Sequence, residues 1–196
     1  MRELLRGRLG RAVPTALLLV ALMLPLSACS GGQGAPDAAQ RSAELTAGEF
    51  PDKTPPEPVL PPPPKLDDPK TAVYSYLLWI SYAYRVLDSS VATHAFSETE
   101  EVRINSYVEL NRQNSKAIDQ RLVDFKITGS EEISKTAWQV TAVEDWKYRY
   151  IDVGTITYSS PTYSVTYDTT YTVIQETGKG WVVDGVEAKA RGGEPK

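Results

Sequence analysis

The sequence has very few side chains of the kinds that form disulfides or bind transition metals. Its 196 residues include one cysteine, Cys29, and one histidine, His94. A single cysteine excludes an intramolecular disulfide, and one cysteine with one histidine is too few for a transition-metal site. Glycine-rich phosphate loops and serine-centred nucleophile motifs are absent as well. We therefore expect no metal and no cofactor, and we interpret His94 as a packing or rim residue.

The sequence also lacks an apolar run of membrane-spanning length. The apolar stretch at residues 12–26 falls short of the roughly 20 residues that a spanning helix requires, and arginines precede it. It ends in Leu26-Ser27-Ala28-Cys29, which has the pattern of a lipobox. We predict that residues 1–28 are a lipoprotein signal peptide and that Cys29 carries diacylglycerol. The alternative is an ordinary cleaved signal that happens to contain a cysteine.

Positive charge is scarce in the predicted mature chain. Removal of residues 1–28 takes away four arginines and one glutamate, and the net charge falls from −4 to −7. An acidic protein is a poor binder of nucleic acid and of anionic lipid surfaces. The expected partners are therefore the membrane, through diacylglyceryl-Cys29, and an envelope protein, the cell wall or a small molecule. The predicted location is the outer, extracytoplasmic face of the cell membrane.

Prolines are concentrated before the predicted folded part. Residues 29–67 begin with glycine and alanine and continue with proline, including the run at 61–64. Such a composition cannot form a packed core, and its second half favours extended polyproline II. We predict that residues 29–67 are a disordered tether after the lipidated Cys29. A docking motif for a proline-recognition domain is the alternative interpretation.

The first element of the predicted domain is a helix over residues 69–87. Asp67 or Asp68 is its N-cap, and Pro69 occupies its first turn. Apolar residues recur along it at the helical spacing: Val73, Tyr76, Leu77, Ile80, Tyr84 and Leu87.

Two further helices are predicted. A short one covers residues 91–96, and a third begins at the capping box of residues 97–100 and ends at about Ile118. Three glutamates cluster at the start of the third helix, where carboxylates favour the helix dipole: Glu98, Glu100 and Glu101. We interpret them as a solvated helix start rather than a calcium site.

After Asp119 the apolar period changes from helical spacing to alternation. Four strands are predicted, with a turn at residues 178–180 before the last one: 122–128, 135–152, 161–176 and 181–190. The predicted fold class is α+β, with three N-terminal helices packed on a curved, cone-like antiparallel sheet. The domain covers residues 68–190, and residues 191–196 form a frayed tail.

The order of three helices followed by a long-stranded sheet resembles the nuclear transport factor 2-like superfold. Ketosteroid isomerase and polyketide cyclase-like proteins share this cone. Within it, the stretch TAVYSYLLWISYAY at residues 71–84 is similar to a group of actinobacterial lipoproteins of unknown function. Those relatives often carry a cysteine pair where this chain has residues 99–105, which contain none. The superfold includes enzymes, binding modules and scaffolds, so the resemblance implies a fold rather than an activity.

Strand alternation identifies the candidate site. One face of the predicted strand at residues 135–152 carries aromatic side chains and also Glu144. The predicted ligand or partner face consists of Trp146, Tyr148, Tyr163, Tyr167 and Tyr171. A desolvated carboxylate has a raised pKa and acts as a base, so Glu144 is the candidate catalytic residue, with Tyr148, Tyr167 or Tyr171 as donors. The alternatives are a β-bulge that turns Glu144 outward, or a core carboxylate that accepts hydrogen bonds from tyrosines.

Three functions remain open on these observations. We favour a non-enzymatic envelope lipoprotein that binds a small ligand or a protein or cell-wall partner. A small-molecule isomerase or cyclase that uses Glu144 and tyrosines of the cone is the first alternative. The second is a structural spacer domain of an envelope complex.

Overall fold

The first helix of the domain begins and ends close to its predicted limits. The computed structural model describes residues 49–191, and α1 covers Pro69–Val86. The Asp68 side chain accepts hydrogen bonds from the backbone N–H groups of Lys70 and Thr71, as an N-cap does. Leu87 ends the helix in the left-handed conformation, with φ of 54°. The predicted signal peptide and Cys29 lie outside the described residues.

The described residues contain two α-helices rather than the predicted three. The predicted second helix is only a 3₁₀ turn at Ser89–Ala92. The second α-helix, α2, covers Glu98–Gln113, and the Ser97 hydroxyl caps its start. It ends before the predicted limit at Ile118 because Ser115 has a positive φ of 54°, which reverses the chain into a strand.

The sheet is antiparallel and has five strands, four of which lie side by side as hydrogen-bonded neighbours. Its strands are β1 (Lys116–Ser134), β2 (Ala137–Asp152), β3 (Thr157–Tyr158), β4 (Tyr163–Glu176) and β5 (Gly180–Ala190). The order is β1-β2-β4-β5, and the short β3 pairs with β2. The first strand is much longer than the predicted 122–128 because it pairs with β2 along almost its whole length.

Bulges occur where both edge strands pair with their neighbours, and the pairing of β4 with β5 has one between Thr172 and Val173. The pairing of β1 with β2 shifts register between Leu122 and Asp124, between Ile127 and Gly129, and again near the hairpin end. The pairing of β2 with β4 has no such shift. Each bulge increases the local twist, so the two edge strands bend while β2 keeps strict alternation of its side chains.

The core lies between the concave face of this sheet and α1. Val73 and Ala83 of α1 are fully buried, as are Val140 and Val173 of the sheet. Two of the four tryptophans, Trp79 and Trp146, belong to this core, and the other two are partly buried against it. The α+β class with a curved antiparallel sheet is therefore confirmed, with two helices on the sheet.

Residues 50–66 differ from the predicted disordered tether. This segment, here called the strap, lies along the domain and forms neither helix nor strand. Trp79 Nε1 donates to the Pro62 carbonyl at 3.2 Å, and an Arg85 guanidinium N–H donates to the Pro56 carbonyl at 2.7 Å. The backbone N–H of Trp181 donates to Leu66 at 2.8 Å. Prolines lack N–H groups but keep carbonyl acceptors, and the domain supplies the donors.

The C-terminal end of the described chain is also held. Arg191, which the sequence places at the start of a frayed tail, donates its backbone N–H to the Thr166 carbonyl at 2.8 Å. Its guanidinium pairs with Asp168 at 2.7 Å. The remaining residues of the predicted tail, 192–196, lie outside the described residues.

Candidate functional site

Glu144 lies in the core, on the concave face of β2. It is 4% exposed, and Ala142 and Trp146 beside it on the same face are also buried. The absence of a bulge between β2 and β4 keeps this alternation intact. The carboxylate accepts a hydrogen bond from Trp146 Nε1 at 2.8 Å and another from the Tyr171 hydroxyl. Both of its oxygens therefore have a donor within the core.

The electrostatic setting of Glu144 favours its neutral form. Burial raises the pKa of Glu144 above its ordinary value, although the hydrogen bonds from Tyr171 and Trp146 act in the opposite direction. Burial and the nearby Glu144 carboxylate likewise raise the pKa of Tyr171. A base needs an oxygen within reach of a substrate proton, and here the two oxygens face core side chains.

The residues of the predicted ligand face differ in burial, with two in the core and three only partly buried. Trp146 and Tyr171 are buried in the core, while Tyr148, Tyr163 and Tyr167 are partly buried. Tyr167 lies directly opposite Glu144 in the pairing of β4 with β2, so the two predicted catalytic residues are neighbours. The structure therefore brings these residues to one concave face, but at different depths.

Three tyrosines form a cluster at one end of the concave face. The Tyr148 ring lies 5.2 Å from that of Tyr163 and 5.8 Å from that of Tyr150, measured between centroids. Burial, and then the neighbouring tyrosines, raise the pKa of Tyr148 to about 12. The Tyr148 hydroxyl therefore stays protonated at neutral pH and can donate or accept a hydrogen bond.

A cleft lies between the strap, α1 and the first part of β1. Its volume is about 420 Å³. Its lining is mainly apolar or aromatic and includes Leu60, Tyr74, Leu77, Leu78, Tyr82 and Trp146. This volume falls within the range of about 300–1,000 Å³ that is typical of small-molecule sites. Trp146 is the one residue of the predicted ligand face that lines this cleft.

A few polar groups are fixed at the edge of the cleft. Gln120 Nε2 donates to the Ser81 hydroxyl at 2.8 Å, which joins β1 to α1 across it. Asp119 accepts a hydrogen bond from the Tyr158 hydroxyl, so its carboxylate is already engaged. The cleft thus combines an apolar interior with polar groups placed at its edge, as binding sites commonly do.

Sequence reasoning missed the cleft because the strap forms its roof. The strap was predicted to be free of the domain, and its attachment runs through backbone carbonyls of Pro56, Pro62 and Leu66, which no side-chain pattern indicates. Leu77 and Leu78 belong to the helix predicted at residues 69–87, but no helical pattern indicates that a cleft lies there.

Glu100 is a second buried carboxylate, and the expected solvated helix start is wrong for it. It is 2% exposed and accepts hydrogen bonds from the Tyr76 hydroxyl and from Arg103. The distance from Arg103 Nε to Glu100 Oε2 is 2.9 Å. The spacing of a glutamate and an arginine three residues apart was the available sequence signal.

His94 lies against α1, in contact with Trp79. The two ring centroids are 4.3 Å apart, and the rings meet edge to face. Burial, and then the charge of Lys179, lower the pKa of His94. Within residues 49–191, no cluster of three histidine, cysteine or acidic side chains is arranged to hold a metal ion. The same part of the chain has no helix that is both long and apolar enough to cross a membrane.

Taken together, these elements define a cone-like α+β domain whose concave face is covered by α1. The intermembrane space region of the chloroplast protein ARC6 is similar to it, with a TM-score of 0.51 and 16% identity. That similarity covers 63% of this chain and 98% of the ARC6 region. At such identity it shows the fold alone.

Two further similar solved structures have TM-scores below 0.5. A nuclear transport factor 2-like superfamily protein from Salmonella enterica serovar Typhimurium LT2 has a TM-score of 0.45 at 12% identity and covers 63% of this chain and 93% of its own. A periplasmic fragment of TraM scores 0.44 at 12% identity, over 62% of this chain and 98% of that one. No protein-family model matches the sequence, and no curated protein is significantly similar to it.

The architecture is the one that the nuclear transport factor 2-like resemblance implies, with helices packed on a curved antiparallel sheet. Proteins described as nuclear transport factor 2-like are among the similar solved structures. The narrower resemblance to actinobacterial lipoproteins stays a prediction.

Proposed function

We propose that this chain is a lipoprotein anchored through Cys29 at the outer face of the cell membrane, and that its domain binds a small apolar ligand in the cleft beneath the strap. The observation that carries the ligand proposal is the cleft itself, with its volume of about 420 Å³ and its aromatic and aliphatic lining. The lipobox Leu26-Ser27-Ala28-Cys29 supports the anchor.

The state of Glu144 supports binding without catalysis. Its two oxygens accept hydrogen bonds from Tyr171 and Trp146, and it does not line the cleft. Asp119, which does line the cleft, is engaged by Tyr158. Isomerase or cyclase chemistry requires a base that reaches a substrate proton, and neither Glu144 nor Asp119 is placed for that task. Glu57, the other carboxylate of the cleft lining, lies on the strap and is exposed to solvent, where a carboxylate is a weak base. A protein partner or a spacer role remains the competing outcome of the test below.

Anilinonaphthalene sulfonate, an anionic aromatic probe that fluoresces in apolar sites, tests the cleft. Leu78 lines it from α1 and is partly buried, so Leu78→Trp fills part of the volume. We expect this variant to bind the probe about tenfold more weakly, a loss of about 1.4 kcal/mol. Leu110→Trp is the matched control because Leu110 is 54% exposed on α2, outside the cleft lining.

Three outcomes of this titration are informative. Unchanged affinity in both variants, or an equal loss in both, would contradict the cleft as the site. A wild-type protein that does not bind the probe would favour the spacer role. Circular dichroism of each variant confirms that the comparison is between folded proteins.

The anchor has a separate test. Replacement of Cys29 with alanine removes the only thiol of the sequence. We expect Cys29→Ala to abolish metabolic labelling by an alkyne fatty acid and to leave the precursor unprocessed, because a thioether requires this thiol. Labelling and membrane retention equal to wild type would refute the anchor.

A further inference from the structure

Two apolar side chains are exposed in the turn between β2 and β3. Val153 is 45% exposed and Ile156 is 62% exposed. Ile156 also has a φ of 52°, in the left-handed region that β-branched residues rarely occupy. An exposed isoleucine in a strained conformation gains no burial within the domain, so the domain's own stability does not account for it.

Asp152 holds this turn in shape. Its side chain accepts a hydrogen bond from the Thr155 backbone N–H at 2.8 Å, and its carbonyl accepts one from Ile156 at 2.9 Å. The hydrogen bonds from Thr155 also lower the pKa of Asp152, so the carboxylate that organises the turn is charged at neutral pH. Val153 and Ile156 are thus presented by a fixed turn.

The N-terminal end of the strap lies beside the same turn. The Phe50 ring packs edge-on against Tyr158 at 5.8 Å between centroids, and the Tyr158 N–H donates to the Lys53 carbonyl at 2.9 Å. Tyr158 follows Ile156 by two residues. The chain that comes from Cys29 therefore reaches the domain at the end where Val153 and Ile156 are exposed.

We propose that Val153 and Ile156 contact the interfacial region of the bilayer that holds diacylglyceryl-Cys29. This inference rests on the lipid anchor of the proposed function. Only 20 residues lead from Cys29 to Glu49, which at full extension is about 70 Å. The anchor keeps the turn at a high local concentration near the lipid, so a small apolar surface is sufficient for contact.

The charges around the turn favour an apolar contact over an electrostatic one. Lys53 and Arg149 supply positive charge near the turn, and Asp52 and Asp152 supply negative charge in the same region. Because both signs are present, we expect contact with neutral and with anionic bilayers alike, and little dependence on salt.

The chain offers a matched pair of sites for the test. Ile133 is 60% exposed, almost the same as Ile156, but it lies at the other end of the β1–β2 ladder. The 16 residues of β2 separate the two ends by about 50 Å of strand. With Cys29 lipidated, Ile156→Cys or Ile133→Cys supplies the one reactive thiol for an environment-sensitive fluorophore.

The labelled, full-length lipoproteins are reconstituted into phosphatidylcholine vesicles that contain nitroxide-labelled lipid. We expect quenching at position 156 to exceed that at position 133 by about threefold or more, because nitroxides quench only groups at the bilayer. In a second arm the fluorophore is placed at Val153→Cys, and adding Ile156→Asp is expected to abolish its quenching.

Each contrary result has a distinct meaning. Equal quenching at positions 133 and 156 in a protein that floats with the vesicles would overturn the bilayer contact and leave the anchor intact. A protein that does not float would overturn both. Fluorescence changes at position 156 that depend on protein concentration, without lipid quenching, would instead identify the turn as an interface between two copies of the chain.

Discussion

Glu100 and Glu144 are both buried carboxylates, but they lie in different layers of the domain and have different partners. Glu100, on α2, accepts hydrogen bonds from Arg103 and from Tyr76. Glu144, on β2, accepts hydrogen bonds from the neutral donors Trp146 and Tyr171. The rings of Tyr76 and Tyr171 pack edge to face, with centroids 6.2 Å apart, so the tyrosine partners of the two carboxylates are in contact in the core.

The different partners of Glu100 and Glu144 show that burial alone does not identify a carboxylate as catalytic. Arg103 gives Glu100 a compensating charge at the surface of the domain, whereas Glu144 has no cation among its described hydrogen-bond partners and burial raises its pKa. A raised pKa is typical of catalytic acids and bases, but it also occurs where a carboxyl group simply ties core side chains together. Variants of the two sites can separate these roles.

The largest expected effect comes from removing the cation. Arg103→Ala leaves Glu100, at 2% exposure, buried without its charged partner. We expect the free energy of unfolding to fall by about 2 kcal/mol, below the full cost of a buried unpaired charge because Arg103 is itself about half exposed. Urea denaturation followed by tryptophan fluorescence measures the change.

Arg112 provides the control for this variant. Arg112 pairs with Glu109 at the same spacing on the same helix, but both side chains are about half exposed. We expect Arg112→Ala to cost less than about 1 kcal/mol. Equal destabilisation of the two alanine variants would show that the burial of Glu100 does not increase the cost of losing its arginine.

Removal of a neutral donor should have the next largest effect. Tyr171→Phe takes away one of the two hydrogen bonds to Glu144 and keeps the ring in the core. We expect a loss of about 1–2 kcal/mol at neutral pH, since a buried carboxyl oxygen is left without its donor. The pKa of Glu144 should rise further in this variant.

Acid titration of stability tests that second effect. The cost of Tyr171→Phe should become smaller as the pH is lowered and Glu144 becomes protonated in both proteins, because the lost hydrogen bond then serves a neutral group. A cost that is independent of pH would indicate that the hydroxyl matters for packing rather than for the carboxyl group.

The smallest expected effect is that of Glu144→Gln. Burial raises the pKa of Glu144 from its ordinary value of 4.5, so the native protein holds this proton more tightly than the unfolded chain does. The wild-type protein therefore loses stability relative to the variant as the pH rises through 4.5 towards the raised pKa. At neutral pH the two should differ by less than about 1 kcal/mol.

This variant also decides between binding and catalysis. If the isomerase or cyclase alternative were right, folded Glu144→Gln protein would lose its cellular role, since an amide cannot accept a proton as a base. We expect complementation of a deletion strain by Glu144→Gln to equal that by wild type.

Local patterns predicted those parts of the fold in which one face is buried along a regular element. The helical period placed α1 within one residue of its observed end, and alternation along β2 correctly placed Glu144 with Ala142 and Trp146. Both elements are regular because neither contains a bulge or break.

The parts that local patterns missed depend on contacts between distant residues. The apolar Ile118 fits a helical period, but it belongs to β1 because its partner Tyr150 lies far along the chain. Composition shows that the strap has no core of its own, yet it cannot show that Trp79 and Arg85 supply donors for its carbonyls. The cleft was missed for the same reason.

The attachment of the strap changes how far the domain can travel. A tether that ended at Asp68 would have a contour length of about 135 Å from Cys29, and one that ends at Glu49 has about 70 Å. If Cys29 is anchored in the membrane as proposed, the volume that the domain can explore shrinks by about sevenfold, and encounters with other molecules fixed in the same membrane become correspondingly more frequent. The hydrogen bonds that hold the strap on the domain would therefore limit how far the domain can move from a lipidated Cys29.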